Sequence, residues 1–299
     1  MSVQTVAVLA PGEMGHAVGA VLRHGGLRVL TSLAGRSPQT VQRAKTAGLE
    51  AAEDDAALVR DAEVLFSIVP PAEAVGLARR IAAALRGSRA TLLFVDCNAI
   101  SPTTTRQVGD IVTAAGATFV DGGIIGPPPK PGEGKTRLYV SGADAGRVTE
   151  LCRTGLDIRA VDGGIGAASA LKMSYASMTK GMMALATAAL VTAEKLGVSG
   201  ALRSEMQISR ADVLADIDRN LPRVPPKAYR WIAEMEEIAA TFGDAGLPAE
   251  VFQGIARVFQ MVADSPLGHE APGARGRAPT VADYVTVMAA QTGAKHAAE

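Results

Sequence analysis

The stretch Thr5-Val6-Ala7-Val8-Leu9-Ala10-Pro11-Gly12-Glu13-Met14-Gly15 decides how the first half of this chain folds. After Thr5 the run is apolar without interruption, as a strand buried on both faces of a parallel sheet reads. Small residues follow, and then a helical stretch. Such a turn lets the backbone approach a pyrophosphate closely, and the helix N-terminus offers amide groups and a partial positive charge. The first glycine of a G-x-G-x-x-G turn is Ala10 here, while Gly12 and Gly15 remain. An ordinary glycine-rich strand–helix turn has the same composition, so the pattern gains its weight from its place in the chain. Gly12, Glu13, Met14 and Gly15 are the first candidates to hold a dinucleotide.

Outward from this turn, short β-rich runs alternate with amphipathic helical stretches. Strands are expected at 5–10, 27–33, 63–69, 91–97, 118–121, 137–141 and 157–161, with helices between them such as 72–85 and 102–114. Repeated strand–helix alternation predicts an α/β, doubly wound Rossmann sheet. After Gly166 the strand signal stops. Helices are expected at 167–194, 200–220, 227–245, 249–263 and 281–291, and 265–279 reads as an exposed Gly/Pro/Arg-rich loop. The expected division is a dinucleotide-binding domain over 1–165 and an all-α substrate and dimerisation domain over 166–299. The helix over 167–194 is nearly uncharged and about 42 Å long. It needs cover on most sides, which a second copy of the chain supplies, so a homodimer is expected.

Composition removes several classes of function. Lys plus Arg and Asp plus Glu both total 30, giving zero formal charge, poor material for a nucleic-acid binder. The longest charge-free apolar helical stretch, 181–193, is 13 residues, against about 20 for a bilayer span. No arginine or lysine precedes Arg23, so the N-terminus does not read as a signal peptide. Cys97 and Cys152 lack metal-ligand spacing, and the four histidines are dispersed. The expectation is a reduced, cytoplasmic protein without metal, membrane or nucleic acid.

The second strand is followed by Gly35-Arg36-Ser37, where an acidic residue would accept hydrogen bonds from an unmodified ribose. A guanidinium and a hydroxyl suit a ribose 2′-phosphate instead, which favours NADP(H) over NAD(H). The same residues also read as a solvated arginine and a serine that caps a helix starting at Pro38. Val69 and Pro70, ending the strand over 63–69, are expected to line the dinucleotide crevice.

Taken together, these segments resemble the β-hydroxyacid dehydrogenase family, within the 6-phosphogluconate dehydrogenase superfamily, over nearly the whole chain. Ala10–Gly15 is similar to the family's G-L-G-x-M-G turn, and Gly35-Arg36-Ser37 to the Asn-Arg-Ser/Thr of its NADP-using members. Asp96-Cys97-Asn98-Ala99-Ile100-Ser101-Pro102 stands where members carry D-x-S-T-x-x-P, and Asp121-Gly122-Gly123-Ile124-Ile125-Gly126 where they carry D-A-P-V-S-G. The segment from Gly166 to Lys172 resembles the approach to the family's catalytic lysine. The second half resembles a poorly characterised branch with a phosphogluconate-dehydrogenase-like C-terminal domain.

The resemblance implies that Lys172 is the general acid/base while hydride passes between a substrate carbinol and nicotinamide. Residue chemistry agrees, because Lys172 is flanked by Ala168, Leu171 and Ala176 on the near-uncharged helix. Burial there lowers a lysine's pKa toward neutrality, as a proton shuttle requires. The bland reading is a packed stem with its ammonium in solvent. Lys180 lies about 80° around the helix from Lys172 and Tyr175 about 60° on the other side. Either is a candidate to touch substrate, or equally a structural residue. The implied substrate contacts also include Gly123, Ile124, Ile125 and Asn98, the last alternatively an Asx turn. Ser101 reads better as a helix cap, and Lys130 as a solvated residue of the proline loop.

Three departures from the family pattern stand out. Ile125 replaces the serine of the glycine-rich loop, Tyr175-Ala176 replaces an asparagine pair, and Glu234-Met235 replaces a Lys-Asp pair. The redox scaffold is retained while recognition of the small-molecule substrate has changed. The expected activity is NADP-dependent oxidation of a hydroxy acid or related alcohol. The alternatives are an NADPH-dependent imine reductase, against which Lys172 argues, and a non-catalytic NADPH-binding regulator.

Overall fold

A computed structural model of the protein describes residues 3–88, 90–270, 276 and 278–294. Eight strands form one sheet: β1 (Thr5–Leu9), β2 (Arg28–Thr31), β3 (Glu50–Ala51), β4 (Val64–Ser67), β5 (Leu93–Asp96), β6 (Thr118–Ile125), β7 (Arg137–Ser141) and β8 (Asp157–Ala160). Their spatial order is β3-β2-β1-β4-β5-β6-β7-β8, and only β6 and β7 pair antiparallel. The first six strands have the 3-2-1-4-5-6 order of a doubly wound dinucleotide fold.

Strand periodicity explains why this sheet is covered on both sides. Val6 and Val8 pack with Val29, Val64 and Phe66 in one core, which also takes Val18 and Leu22 of helix α1 (Gly15–His24). Ala7 and Leu9 point the other way, into a core with Leu30, Leu65, Phe94 and Ile81 of α4 (Ala74–Leu85). Each fully buried Val, Leu or Phe stabilises the fold by roughly 1.5–3 kcal/mol. Helices α2 (Pro38–Thr46), α3 (Asp55–Asp61), α5 (Pro102–Thr113) and α6 (Ala145–Thr149) complete the layers.

Two strand expectations needed correction. β3 has only two residues, both exposed, and so leaves no apolar signal. β6 continues four residues beyond Asp121, through Gly122-Gly123-Ile124-Ile125. A glycine pair weakens strand propensity, but pairing with β7 from Asp121 to Ile125 holds these residues extended.

The chain divides into two compact units, Met1–Met173 and Ser174–Glu299, with the division inside helix α7 (Ala167–Lys195). The second unit is all-helical among the described residues. It contains the remainder of α7, α8 (Ser199–Ser209), α9 (Ala211–Asn220), α10 (Pro225–Asp244), α11 (Glu250–Ala263) and α12 (Val281–Ala294). The single helix expected over 200–220 is two, broken at Arg210, which has φ −146° and ψ 48°. No glycine or proline marks that break in the sequence. Trp231 meets Phe259 edge-on at 5.2 Å, and the buried Tyr284 hydroxyl lies 2.9 Å from that of Thr187. Burial raises the Tyr284 phenol pKa. Part of the loop expected over 265–279 lies outside the described residues. Among the described residues no helix is long and apolar enough to cross a membrane.

Candidate active site

The ends of β1, β2 and β4 converge where the strand order reverses, the position at which doubly wound sheets bind ligands. After β1 the chain turns at once: the Gly12 amide donates to the Ala10 carbonyl at 2.8 Å, and the His16 amide to the Gly12 carbonyl at 3.1 Å. The His16 ring nitrogen Nδ1 also lies 2.6 Å from that carbonyl. A Cβ on Gly15 would overlap the Ala10 carbonyl oxygen, whereas one on Gly12 would meet nothing within 4 Å. Gly15 is thus fixed by close packing, and Gly12 leaves backbone open for a ligand. Met14 is half-buried against the core at the N-cap of α1. These residues fit a pyrophosphate at a helix N-terminus.

At the end of β2, Thr31 anchors the chain by donating to the Val8 carbonyl at 2.7 Å. Gly35 has φ +70° and places Arg36 and Ser37 ahead of α2. Ser37 caps that helix, accepting from the Thr40 amide at 3.3 Å, so its oxygen already has one structural bond. The Arg36 guanidinium is half-buried, and its closest carboxylate is Glu73 at 4.0 Å. That separation leaves the guanidinium largely uncommitted.

Asn98 has a different task from the one its position implied. Its carbonyl accepts from the Val69 amide at 2.7 Å, and its side-chain amide donates to Ser67 and to Asp96, each at 2.8 Å. Both amide protons are used and the residue is only 2% exposed, so Asn98 ties the ends of β4 and β5 together. The turn reading is the better one, with Asp96 accepting from the Asn98 backbone amide at 2.9 Å. Val69 is held by the same network, while Pro70 is exposed at the crevice edge.

Burial raises the Asp96 carboxyl pKa to about 7 from 3.8, and Asp121, its partner across β5 and β6, adds to the rise. Hydrogen bonds from Asn98 oppose it. Between these values the folded protein holds a proton that the unfolded chain has lost. The stability Asp96 contributes is therefore complete below about pH 4 and is lost as pH rises through about 7. Asp96→Asn is expected to flatten that fall: its urea midpoint should gain on the wild type between pH 4.5 and 7.5. Parallel curves would mean that Asp96 titrates normally.

β6 organises the start of α7, and it does so with three consecutive devices. Asp121 accepts from Ser169 Oγ at 2.6 Å, from the Gly166 and Ser169 amides at 2.9 and 3.1 Å, and from Ser141 Oγ at 2.9 Å. Ser141 Oγ in turn accepts from the Ala168 amide at 3.0 Å. These bonds satisfy amides that a helix start leaves without intrahelical partners. Two residues on, a Cβ at Gly123 would come within 2.9 Å of both the Ala168 carbonyl and Lys172 Cβ. Gly123 therefore acts through its missing side chain. The third device is the Ile124 carbonyl, which accepts a hydrogen bond from Lys172 Nζ at 2.7 Å.

Lys172 is half-buried, with its ammonium on this carbonyl instead of in open solvent. The Ile124 side chain is in the core beside Leu138, so only its backbone is turned to the lysine. Ile125 is buried, two positions from Gly123 and so on the same strand face. Among the residues the sequence reading passed over, Asp121 matters most. Its one legible signal was an acid inside a strand that is otherwise apolar. Ser101 caps α5, and Lys130 is exposed and paired with Glu133 at 3.4 Å.

In the second unit, Tyr175 is exposed. Of the two readings of Lys180, the contacts favour the structural one: its ammonium is paired with Glu234 and sits 5.3 Å from the Trp231 ring centroid. A neutralised ammonium is a poor anchor for a substrate anion. The glutamate that replaces the family's lysine is the cause.

The family profile for the NAD binding domain of 6-phosphogluconate dehydrogenase matches residues 5–152, and one for a domain of unknown function (DUF1932) matches residues 193–262. A solved conserved protein of unknown function, reported as structurally similar to 3-hydroxyacid dehydrogenases, is 30% identical. It covers 89% of this chain and 100% of its own, with TM-score 0.66. The chain belongs to the β-hydroxyacid dehydrogenase family. Within it, the chain falls in a poorly characterised branch carrying the helical domain of unknown function. The fold is shared with 3-hydroxyisobutyrate dehydrogenase from Mycobacterium tuberculosis, solved with L-serine: 21% identity, 88% and 94% of the two chains, TM-score 0.68. It is shared also with an imine reductase from Myxococcus stipitatus solved with NAD+: 18% identity, 90% and 96% coverage, TM-score 0.56. Membership of the β-hydroxyacid dehydrogenase family gives the chain the nicotinamide-binding half of a dehydrogenase or reductase.

Proposed function

We propose that this protein is an NADP(H)-dependent oxidoreductase that moves hydride between a hydroxy acid, or a related alcohol, and nicotinamide. Lys172 is the general acid/base. The observation that carries the reading is the Lys172 Nζ bond to the Ile124 carbonyl, on a helix start fixed by Asp121, in a dehydrogenase family. A bound nicotinamide supplies the hydride acceptor or donor. In oxidation, neutral Lys172 takes the proton of the substrate hydroxyl as the carbinol C–H bond breaks and the carbonyl forms. In reduction, the ammonium returns that proton to the forming alkoxide. The Ile124 carbonyl orients Nζ, and Gly123 lets the helix approach closely enough for that bond.

Gly12, Glu13, Met14 and Gly15 cradle the pyrophosphate, Arg36 and Ser37 hold the ribose 2′-phosphate, and Val69 and Pro70 wall the crevice. Ile125, in place of a serine, fits a substrate more apolar than a small hydroxy acid. Arg36→Ala is expected to weaken NADPH by about 10- to 100-fold, the worth of a charge-assisted bond, with NADH unchanged. Calorimetric titration with both cofactors checks this; equal losses for the two would remove the 2′-phosphate assignment.

The working form in this reading is a homodimer. Leu171, Tyr175, Met178 and Leu185 are 37%, 46%, 69% and 61% exposed and follow one another at spacings of four, three and seven along α7. That is the seam of a helix–helix interface left uncovered in one chain.

A further inference from the structure

Arg36 follows β2 and Glu73 follows β4, the two strands that flank β1. Backbone bonds fix both residues: the Arg36 amide donates to the Leu33 carbonyl at 3.1 Å, and the Glu73 amide to the Pro70 carbonyl at 2.9 Å. Among the described residues each is the other's only ion-pair partner, with Arg36 Nη1 and Glu73 Oε2 4.0 Å apart. That separation is beyond hydrogen-bond reach. The pair between Arg80 of α4 and Asp55 of α3, by contrast, is closed at 2.8 Å.

Glu73 stands at the N-cap of α4, yet its carboxylate makes no capping bond. The Arg36 and Glu73 side chains are 26% and 54% exposed, so an anion from solvent can reach the guanidinium while the carboxylate stays beside it. A phosphate monoester carries about 1.5 to 2 negative charges near pH 7. Whatever its pose, a 2′-phosphate on Arg36 meets a carboxylate already drawn to the same guanidinium, and like charges at that range repel. An unmodified ribose brings no such charge and leaves the pair as it is.

We infer that Glu73 is a specificity-determining residue, which competes with the ribose 2′-phosphate for Arg36 and so narrows the preference for NADPH over NADH. The inference rests on the NADP(H) reading above and sets its limit: Arg36 supplies the preference and Glu73 restrains it. Calorimetric titration tests it with NADPH, NADH and 2′,5′-ADP, which carries the 2′-phosphate without nicotinamide. The proteins are wild type, Glu73→Gln, Glu73→Ala, Arg36→Ala, and Arg36→Ala combined with Glu73→Ala.

Both Glu73 variants are expected to bind NADPH and 2′,5′-ADP about 3- to 10-fold more tightly, with NADH within about twofold of wild type. The gain should shrink as salt is raised, since both groups are solvent-accessible. It should fall to about twofold or less in the Arg36→Ala background, where nothing is left to compete for. Unchanged or weaker NADPH binding in the Glu73 variants, with Arg36→Ala still losing NADPH selectively, would overturn the inference and leave the NADP(H) reading standing. A gain with glutamine but not with alanine would also overturn it, because the new amide and not the lost charge would then be responsible. Equal losses of NADPH and NADH in Arg36→Ala would remove the 2′-phosphate assignment and the inference with it.

Discussion

Lys172→Ala is expected to lower kcat by about 10²- to 10⁴-fold, the usual contribution of a positioned proton-transfer group. NADPH affinity should be unaffected, since the lysine touches the Ile124 carbonyl and not the turn over Ala10–Gly15. Lys172→Arg should be almost as inactive: a guanidinium keeps the positive charge but does not release its proton near neutral pH. Activity in the arginine variant would make the lysine an electrostatic group rather than an acid/base. In the oxidation direction the wild-type kcat should fall toward low pH, where a protonated lysine cannot accept the hydroxyl proton, and the alanine variant's residual rate should lack that fall.

Asp121→Ala is expected to be the most destabilising single change in the first unit. It leaves two serine hydroxyls and the amides of Gly166 and Ser169 without their acceptor in a buried place. At about 1–3 kcal/mol for each buried group left unsatisfied, the loss should reach at least about 3 kcal/mol even after local relaxation. Thermal unfolding measures it, and hydrogen exchange should show the start of α7 opening first. Because Ser169 is one helical turn before Lys172, activity should fall under conditions where the variant is still folded. Asp121→Asn keeps one acceptor and should lie between the two. Wild-type stability in the alanine variant would mean that α7 is held by packing alone.

The fold was legible because its signals are local. Continuous apolar runs, two of three turn glycines, the proline-led helices after Ser37 and Ser101, and the end of strand signal near Gly166 each report on their own neighbourhood. β3 escaped because two exposed residues carry no hydrophobic pattern, and the far half of β6 because glycines at 122 and 123 look like a turn. At the site, Lys172 was reachable through its apolar helix and the family resemblance. For Asn98 and Lys180 only the local alternatives, a turn and a structural residue, were legible, because their partners are distant in sequence: Val69 and Ser67 for the amide, Glu234 for the ammonium. Gly123 and Asp121 act on α7 more than 40 residues away, and no spacing rule anticipates that.

The central claim is lysine-dependent hydride transfer. The most direct test follows the absorbance of reduced nicotinamide with NADP and a panel of 2- and 3-hydroxy acids, aryl-substituted ones included, using wild type and Lys172→Ala side by side. The account predicts cofactor reduction by at least one member of the panel and its near-complete loss in the variant. Full turnover by the variant would contradict it. So would silence across the panel together with NADPH oxidation by imines but not by the matching keto acids.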